Sequence, residues 1–202
     1  MSPFRPDLVD VWIFRIQEGG RRIGFGSVPG PDGRSRGSGG AGGAGAAAPG
    51  GRIVRESDVD VLLLRRSPGR ILPGLWQCVS GSLETGESVT EGALRELREE
   101  TGFGPERIEA FFDIDQVNQF HEPSVAAILT SAVFAVRVGS DAEPVLSHEH
   151  DSMRWVSPAE AVKLAVWPAY RESIRRIEEN LLDPERASWF ELTLAGERAR
   201  RG

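Results

Sequence analysis

The sequence predicts an α/β fold in which a mixed β-sheet is covered by helices on its faces. Segments with strand composition alternate with amphipathic helical segments along the 202 residues, but no regular strand–helix–strand repeat is present. The chain has 24 Lys and Arg against 30 Asp and Glu, and its single cysteine, Cys78, excludes an internal disulfide. This length and composition are typical of a single domain, 1–202, with one substantial core.

Apolar runs rich in β-branched residues predict strands at 9–16, 59–65 and 76–80, and the Pro- and Gly-punctuated stretch 67–75 predicts a loop. The segment 30–51 contains ten glycines in 22 residues and no apolar side chain larger than alanine or proline. Such a segment cannot offset the entropy lost on ordering. We therefore expect a flexible insertion between the first two strands.

A helix is predicted over 89–101. Ser88 and Glu91 have the spacing of a capping box, and Gly102 is a suitable left-handed stop. Further strands are predicted at 111–119, 125–138 and 153–156, and the longest of these is expected to be buried.

Ser157 followed by Pro158 predicts the start of another helix. An amphipathic helix is predicted over about 168–181. The polar tail 196–202 is expected to fray.

Three acidic residues crowd one face of the 89–101 helix. Glu96, Glu99 and Glu100 have i, i+3, i+4 spacing and fall within an arc of about 100°. At about 6 Å and an effective dielectric near 20, each pair costs on the order of 2–3 kcal/mol. One interpretation is a solvated acidic face. The other is a site for a hard divalent cation, where oxygen ligands indicate Mg²⁺ or Mn²⁺.

The segment 81–103, GSLETGESVTEGALRELREETGF, matches G-x5-E-x7-R-E-U-x-E-E-x-G-U at every position, where U is apolar. It resembles the Nudix box, so the resemblance implies an α/β/α sandwich that hydrolyses nucleoside diphosphates linked to another moiety. By that resemblance Glu96, Glu99 and Glu100 are the metal carboxylates, and the Ser80 carbonyl is a further candidate ligand. Arg95, with Glu87, would hold the loop and helix in register.

The resemblance also implies a base near the strand at 153–156. In that family an acid just before this strand can bind metal or activate water, which makes Glu149 the candidate. The alternative is a solvated loop acid. His148 and His150 are candidates for phosphate contact, although loop histidines are commonly just polar.

The stretch 76–82 resembles, more weakly, the branch that holds dihydroneopterin triphosphate and deoxynucleoside triphosphate pyrophosphatases. The implied reaction gives a monophosphate and pyrophosphate. The nucleobase of a substrate could stack on Trp76, although a core tryptophan is equally compatible with the pattern. The other candidate substrate residues are polar. The candidates for contacts to the nucleobase or sugar are Gln77, Asn118 and Gln119. The candidates for contacts to the phosphates are Arg65, Arg66 and Arg70, which could equally be ordinary surface charges.

Other functions stay open at this point. A Nudix enzyme acting on dinucleoside polyphosphates, ADP-ribose or nucleotide sugars is one, and a non-catalytic nucleotide-binding module is another. The net charge of −6 argues against sequence-independent nucleic-acid binding. With no long apolar run and one cysteine, we expect a cytoplasmic protein without a membrane span, and a homodimer is left open.

Overall fold

The computed structural model describes residues 7–17, 54–55, 58–123 and 125–199. The predicted insertion at 30–51 and the last residues, 200–202, lie outside the described residues. The elements, in chain order, are β1 (Leu8–Ile16), β2 (Val59–Arg66), β3 (Trp76–Gln77), β4 (Val79–Ser82), α1 (Val89–Thr101), β5 (Ile108–Glu122), β6 (Ala127–Val138), β7 (His150–Val156), α2 (Pro158–Leu164), α3 (Pro168–Leu181), α4 (Pro184–Ala187) and β8 (Glu191–Leu192).

The strands form one mixed sheet in the order β3-β2-β1-β6-β5-β8, with β4 paired to β1 and β7 paired to β2. β1 runs parallel to β6, and the other pairs are antiparallel. One edge of β1 changes partner along its length, since Leu8–Val11 pair with β4 and Phe14–Ile16 pair with β2. This arrangement places β4 beside the start of α1.

Apolar side chains of β1 alternate between two cores, as period 2 requires. Trp12 and Phe14 face the core that includes Ile174 and Ile177 of α3. Val11 and Ile13 belong to a second core, which includes Leu97 of α1 and other residues of the opposite face. Helices therefore cover both faces, which confirms the α/β/α sandwich.

The predicted strand at 76–80 is divided in two. Its first part, β3, pairs with β2, and its second part, β4, pairs with β1 and extends to Ser82. Cys78, between them, is buried. The chain changes neighbours at this point, which a local apolar pattern cannot reveal.

The strands β5 and β6 extend as a long hairpin, and only part of β6 is buried. From Ser131 onward its inward residues are covered, whereas Ile128 is 62% exposed, so the prediction of a long buried strand is wrong for the hairpin end. β5 is interrupted between Asp113 and Gln116, where the register shifts and Asp115 has a φ of 54°.

The prediction that the tail frays from residue 196 is wrong as far as residue 199. Leu192 bridges to Arg198, the Ala199 amide donates to the Glu191 carbonyl, and Arg198 pairs with Asp113 at 2.8 Å. Such short elements have too few residues for a periodic signal. No helix in the described part of the chain is both long and apolar enough to cross a membrane.

Candidate active site

The helix α1 has the predicted start and end. The Ser88 hydroxyl accepts from the Glu91 amide while the Glu91 carboxylate accepts from the Ser88 amide, and Gly102 has a φ of 72°. Ala93 and Leu97 are fully buried. Because these two residues fix the rotation of the helix against the sheet, the acidic face is directed toward the loop before it.

Arg95 links the helix to that loop. Its guanidinium donates to both oxygens of Glu87, at 2.9 and 3.1 Å, and to the Ser82 carbonyl at 2.8 Å. It also donates to Glu96 at 2.8 Å and to Glu99 at 3.3 Å. These bonds, led by those to Glu87, raise the pKa of Arg95. The arginine thus fixes the loop and orients two carboxylates at once.

Gly81 allows the loop to touch the acidic face. A Cβ at this position would lie 1.9 Å from Cδ of Glu96. Only glycine leaves room for the carboxylate against the main chain, so the first residue of the motif has a steric cause here.

Glu100 is the most unusual acid of the cluster, because it is 3% exposed and its Oε2 atom makes no hydrogen bond. Burial raises its pKa to about 9, and the charges of Glu96 and Glu149 act in the same direction. A main-chain hydrogen bond from Ser80 favours the charged form. Burial also raises the pKa of Glu96. The cluster therefore holds negative charge only at a cost in free energy.

His150 lies beside Glu100 and is also buried. Its Nδ1 is 3.7 Å from Glu100 Oε2 and has no hydrogen-bond partner. Burial, followed by the charge of Arg66, lowers the pKa of His150 to about 4, so the ring is neutral. The expectation that His150 contacts phosphate from a loop is wrong, because the side chain is enclosed.

Glu149 is close enough to the cluster for its charge to raise the pKa of both Glu96 and Glu100. It pairs with Arg70 at 2.8 Å, and Arg70 also lies 2.8 Å from the His148 ring. The structure therefore brings Glu149 and Arg70 to the acidic face, although they are distant in sequence.

The other predicted substrate residues are partly engaged elsewhere. Arg65 donates to Asp151 at 2.7 Å. Gln77 is buried and accepts from Arg66 at 3.3 Å. Trp76 packs against the core that includes Trp12, and the Arg154 guanidinium lies 5.1 Å from its ring centre. Both the aromatic ring and the amide therefore have structural roles in this arrangement.

Asn118 lies in a polar group that sequence reasoning missed. Its Nδ2 donates to Asp10 at 3.4 Å, and Asp10 is 4% exposed. Burial raises the pKa of Asp10, while hydrogen bonds from Ser80, Ser131 and Asn118 oppose the shift. A lone acid at an inward position of an otherwise apolar strand was the available signal. Gln119, the next residue of β5, is exposed on the other face.

These residues fit a hard divalent cation held on an open-sided site. The orphaned, buried Glu100 oxygen and the Glu96 carboxylate in the space left by Gly81 are hard oxygen donors. In the described ranges no three His, Cys, Asp or Glu side chains form a converged metal cage. Arg95 holds Glu96 and Glu99, so water and ligand oxygens would complete the coordination.

The fold and this loop–helix–loop site define a Nudix protein. The NUDIX domain model matches residues 48–177, and the chain belongs to this family. Its fold is an α/β/α sandwich, and residues 81–103 match the Nudix box at every position.

Three curated proteins are similar in sequence. An octanoyltransferase of Myxococcus xanthus is 36% identical over 124 residues, which are 60% of this chain and 33% of that protein, so the chain spans about a third of it. The CTP pyrophosphohydrolase of Escherichia coli is 32% identical, over 56% of this chain and 78% of the relative. The dihydroneopterin triphosphate diphosphatase of Haemophilus influenzae is 30% identical, over 60% of this chain and 80% of the relative.

Solved structures agree on the fold. A Nudix hydrolase of Listeria monocytogenes superimposes with a TM-score of 0.60 at 20% identity, covering 88% of this chain and 94% of the other. The dihydroneopterin triphosphate pyrophosphohydrolase of E. coli gives a TM-score of 0.54 at 19% identity, covering 85% and 98%.

Proposed function

We propose that this Nudix hydrolase converts a nucleoside or pterin triphosphate and water into the monophosphate and pyrophosphate, with Mg²⁺ or Mn²⁺. The observation that carries the proposal is the buried carboxyl group of Glu100, whose Oε2 atom makes no hydrogen bond. To be ionised, this buried carboxyl group requires a compensating charge, and Arg95 is directed at Glu96 and Glu99 instead. A divalent cation supplies that compensation.

The choice of triphosphates rests on two relatives. One is named for CTP and the other for dihydroneopterin triphosphate, and this chain covers 78% and 80% of their lengths. Both names give a triphosphate as the substrate, which favours triphosphates over dinucleoside polyphosphates or ADP-ribose.

Glu96, Glu99, Glu100 and the Ser80 carbonyl would hold the cation. When bound, it would neutralise phosphate charge and acidify water. Arg95 orients Glu96 and Glu99, and it keeps the loop bearing Gly81 in place. The water oxygen forms a bond to the α-phosphorus, the bond from the α-phosphorus to the oxygen that bridges to the β-phosphate breaks, and pyrophosphate leaves.

Glu149 is the proposed general base, since its charge acts on both Glu96 and Glu100 and its side chain is 36% exposed. It takes the proton of the attacking water. Arg70, paired with Glu149 at 2.8 Å, positions that carboxylate and offers a cation to the phosphates. Arg65, whose side chain is 42% exposed, and Asn118 are the other proposed substrate contacts, whereas the predicted contacts Trp76 and Gln77 are held in structural roles.

A nucleotide panel tests this function. ATP, GTP, CTP, UTP, dihydroneopterin triphosphate, diadenosine tetraphosphate and ADP-ribose are incubated with Mg²⁺. Released phosphate is measured with and without added inorganic pyrophosphatase, and the phosphorylated products of every substrate are separated by anion-exchange chromatography. We expect pyrophosphate from at least one triphosphate, no turnover in excess EDTA, and wild-type turnover in the exposed-surface control Glu160→Gln. Turnover that persists in EDTA, or hydrolysis only of the last two substrates, contradicts the proposal.

A further inference from the structure

His150 is a buried histidine beside the candidate metal site to which the proposed reaction gives no role. Its side chain is 1% exposed, and that of its neighbour Glu100 is 4% exposed. Among the described residues, neither His150 Nδ1 nor Glu100 Oε2 has a hydrogen-bond partner, and the two atoms lie 3.7 Å apart. An unpaired buried polar atom costs free energy, so two such atoms side by side indicate a functional arrangement.

The loop before β7 brings His150 to Glu100. Main-chain hydrogen bonds join this loop to the end of α1, since the Ser147 amide donates to the Glu100 carbonyl at 3.2 Å. The Val145 amide likewise donates to the Thr101 carbonyl at 2.9 Å, and the His150 amide donates to the Ser147 carbonyl at 3.3 Å. The backbone of His150 is therefore held against the end of α1 without the help of a ligand.

Gln77 lies on the other side of the His150 ring. Its Nε2 atom is 3.5 Å from His150 Nε2, and its Oε1 atom accepts from Nη1 of Arg66 at 3.3 Å. Arg66 is itself anchored, because its Nε donates to the Ile71 carbonyl at 2.7 Å. Since β2 pairs with both β3 and β7, Arg66, Gln77 and His150 form a relay of side chains across three neighbouring strands. This relay ends at Glu100.

The donors and acceptors of the relay fix which ring nitrogen of His150 carries the proton. A guanidinium has only donors, so Arg66 requires the oxygen of the Gln77 amide and leaves its NH₂ group directed at the ring. His150 Nε2 is then the acceptor. Burial lowers the pKa of His150 to about 4, so the neutral ring carries its one proton on Nδ1. This is the nitrogen that lies beside Glu100 Oε2.

A proton on Nδ1 makes the two unpaired atoms a matched donor and acceptor. A carboxylate oxygen has two lone pairs, so Glu100 Oε2 can accept this N–H and keep capacity for a cation. The neutral ring supplies no charge, so it orients the carboxylate without replacing the cation. Hydrogen-bond partners of metal ligands fix the orientation of those ligands, and their loss typically costs about 10- to 100-fold in metal affinity.

We infer that His150 is a positioning residue, which donates its Nδ1–H to Glu100 Oε2 and orients this carboxylate for the cation. A rotation of either side chain closes the distance of 3.7 Å between the two atoms. Arg66 and Gln77 act one step further away, because they hold the ring in the required tautomer. The inference rests on the proposed function, since it gives His150 a role in the same cation site.

The tautomer of His150 is tested first, because this measurement requires neither metal nor substrate. Long-range ¹H–¹⁵N correlation spectra of the ¹⁵N-labelled wild type in EDTA distinguish a ring protonated at Nδ1 from one protonated at Nε2. The chain has three histidines, and spectra of His121→Asn and His150→Asn assign the ring of interest. We expect a neutral His150 ring with its proton on Nδ1 at neutral pH. A proton on Nε2 overturns the inference.

Mn²⁺ affinity, measured by electron paramagnetic resonance, tests the effect on the carboxylate. His150→Leu removes the donor and keeps a side chain of similar size, whereas His150→Asn keeps an N–H donor bonded to Cγ, as Nδ1 is. We expect the leucine variant to bind Mn²⁺ roughly 10- to 100-fold more weakly, and the asparagine variant to stay within about threefold of wild type. His121→Asn, at an exposed position of the β5–β6 hairpin, is the matched control and should bind like wild type.

A ring that only fills space predicts a different result. Both His150 variants would then change Tm and leave the Mn²⁺ affinity of the folded protein at the wild-type value, and this outcome overturns the inference. Equal weakening by leucine and asparagine overturns it as well. The tautomer is measured on the wild type, so the inference stays testable even if His150→Leu does not fold. If the wild type binds no Mn²⁺, the proposed function fails, whereas a proton on Nδ1 in EDTA still supports the relay.

Discussion

Glu100→Gln should change how the stability of the metal-free protein depends on pH. Burial raises the pKa of Glu100 from 4.5 to about 9, so between these values the folded chain holds a proton that the unfolded chain has released. A group whose pKa is raised by folding contributes stability that is fully present below its pKa in the unfolded chain. This stability is lost as the pH rises toward the pKa in the folded chain.

The size of the effect follows from the shift. A difference of one bound proton changes the free energy of unfolding by about 1.4 kcal/mol per pH unit. From about pH 5 to pH 8, Glu100 would therefore remove up to roughly 4 kcal/mol, or roughly 8–16 °C in Tm for a chain of this size. The neutral amide keeps the shape of the side chain and removes this loss.

The assay is thermal unfolding of wild type, Glu100→Gln and the control Glu160→Gln from pH 5 to pH 8 in EDTA. Wild type and control should lose stability more steeply with rising pH than Glu100→Gln does. Added Mg²⁺ should stabilise wild type more than the variant, because it binds the carboxylate. Equal pH slopes for wild type and Glu100→Gln in EDTA would refute the argument from burial.

Three further substitutions test the geometry of the site. Gly81→Ala places a methyl group 1.9 Å from Glu96 Cδ and should lower turnover about 10²-fold, whereas Gly69→Ala, which meets nothing within 4 Å, should leave turnover unchanged. Arg95→Lys keeps the charge but loses the pair of hydrogen bonds to Glu87, so chemical denaturation should give a free energy of unfolding about 1–3 kcal/mol lower than wild type. A free energy equal to that of wild type would contradict a stabilising role for this pair. Glu149→Gln should reduce kcat by roughly 10²–10⁴-fold with a Tm within about 2 °C of wild type, and an unchanged kcat removes Glu149 as the base.

The sequence predicted the parts of the site that depend on local signals. The helix α1 was predicted from its cap and its stop, and the motif identified Glu96, Glu99 and Glu100 because their spacing is a property of the helix itself. The resemblance also linked Arg95 to Glu87, and the structure has that contact at 2.9 and 3.1 Å. Glu91 forms the cap, and Arg95 also donates to Glu96 and Glu99 of its own helix.

The rest depends on which strands become neighbours. Asp10 lies opposite Ser80 only because β4 pairs with the first half of β1, and the strand break at Cys78 has the same cause. The burial of His150 likewise follows from β7 packing beside β2, which the polar sequence around it does not indicate. Such pairings join residues far apart in the chain, so composition and periodicity do not specify them.

The central claim is that the acidic face of α1 binds a divalent cation, and Mn²⁺ titration followed by electron paramagnetic resonance tests it most directly. In the wild type, free Mn²⁺ signal should fall as protein is added. In Glu99→Gln and Glu100→Gln the affinity should drop at least about tenfold, because each loses one charged ligand. Equal Mn²⁺ binding by the wild type and both variants would contradict the account.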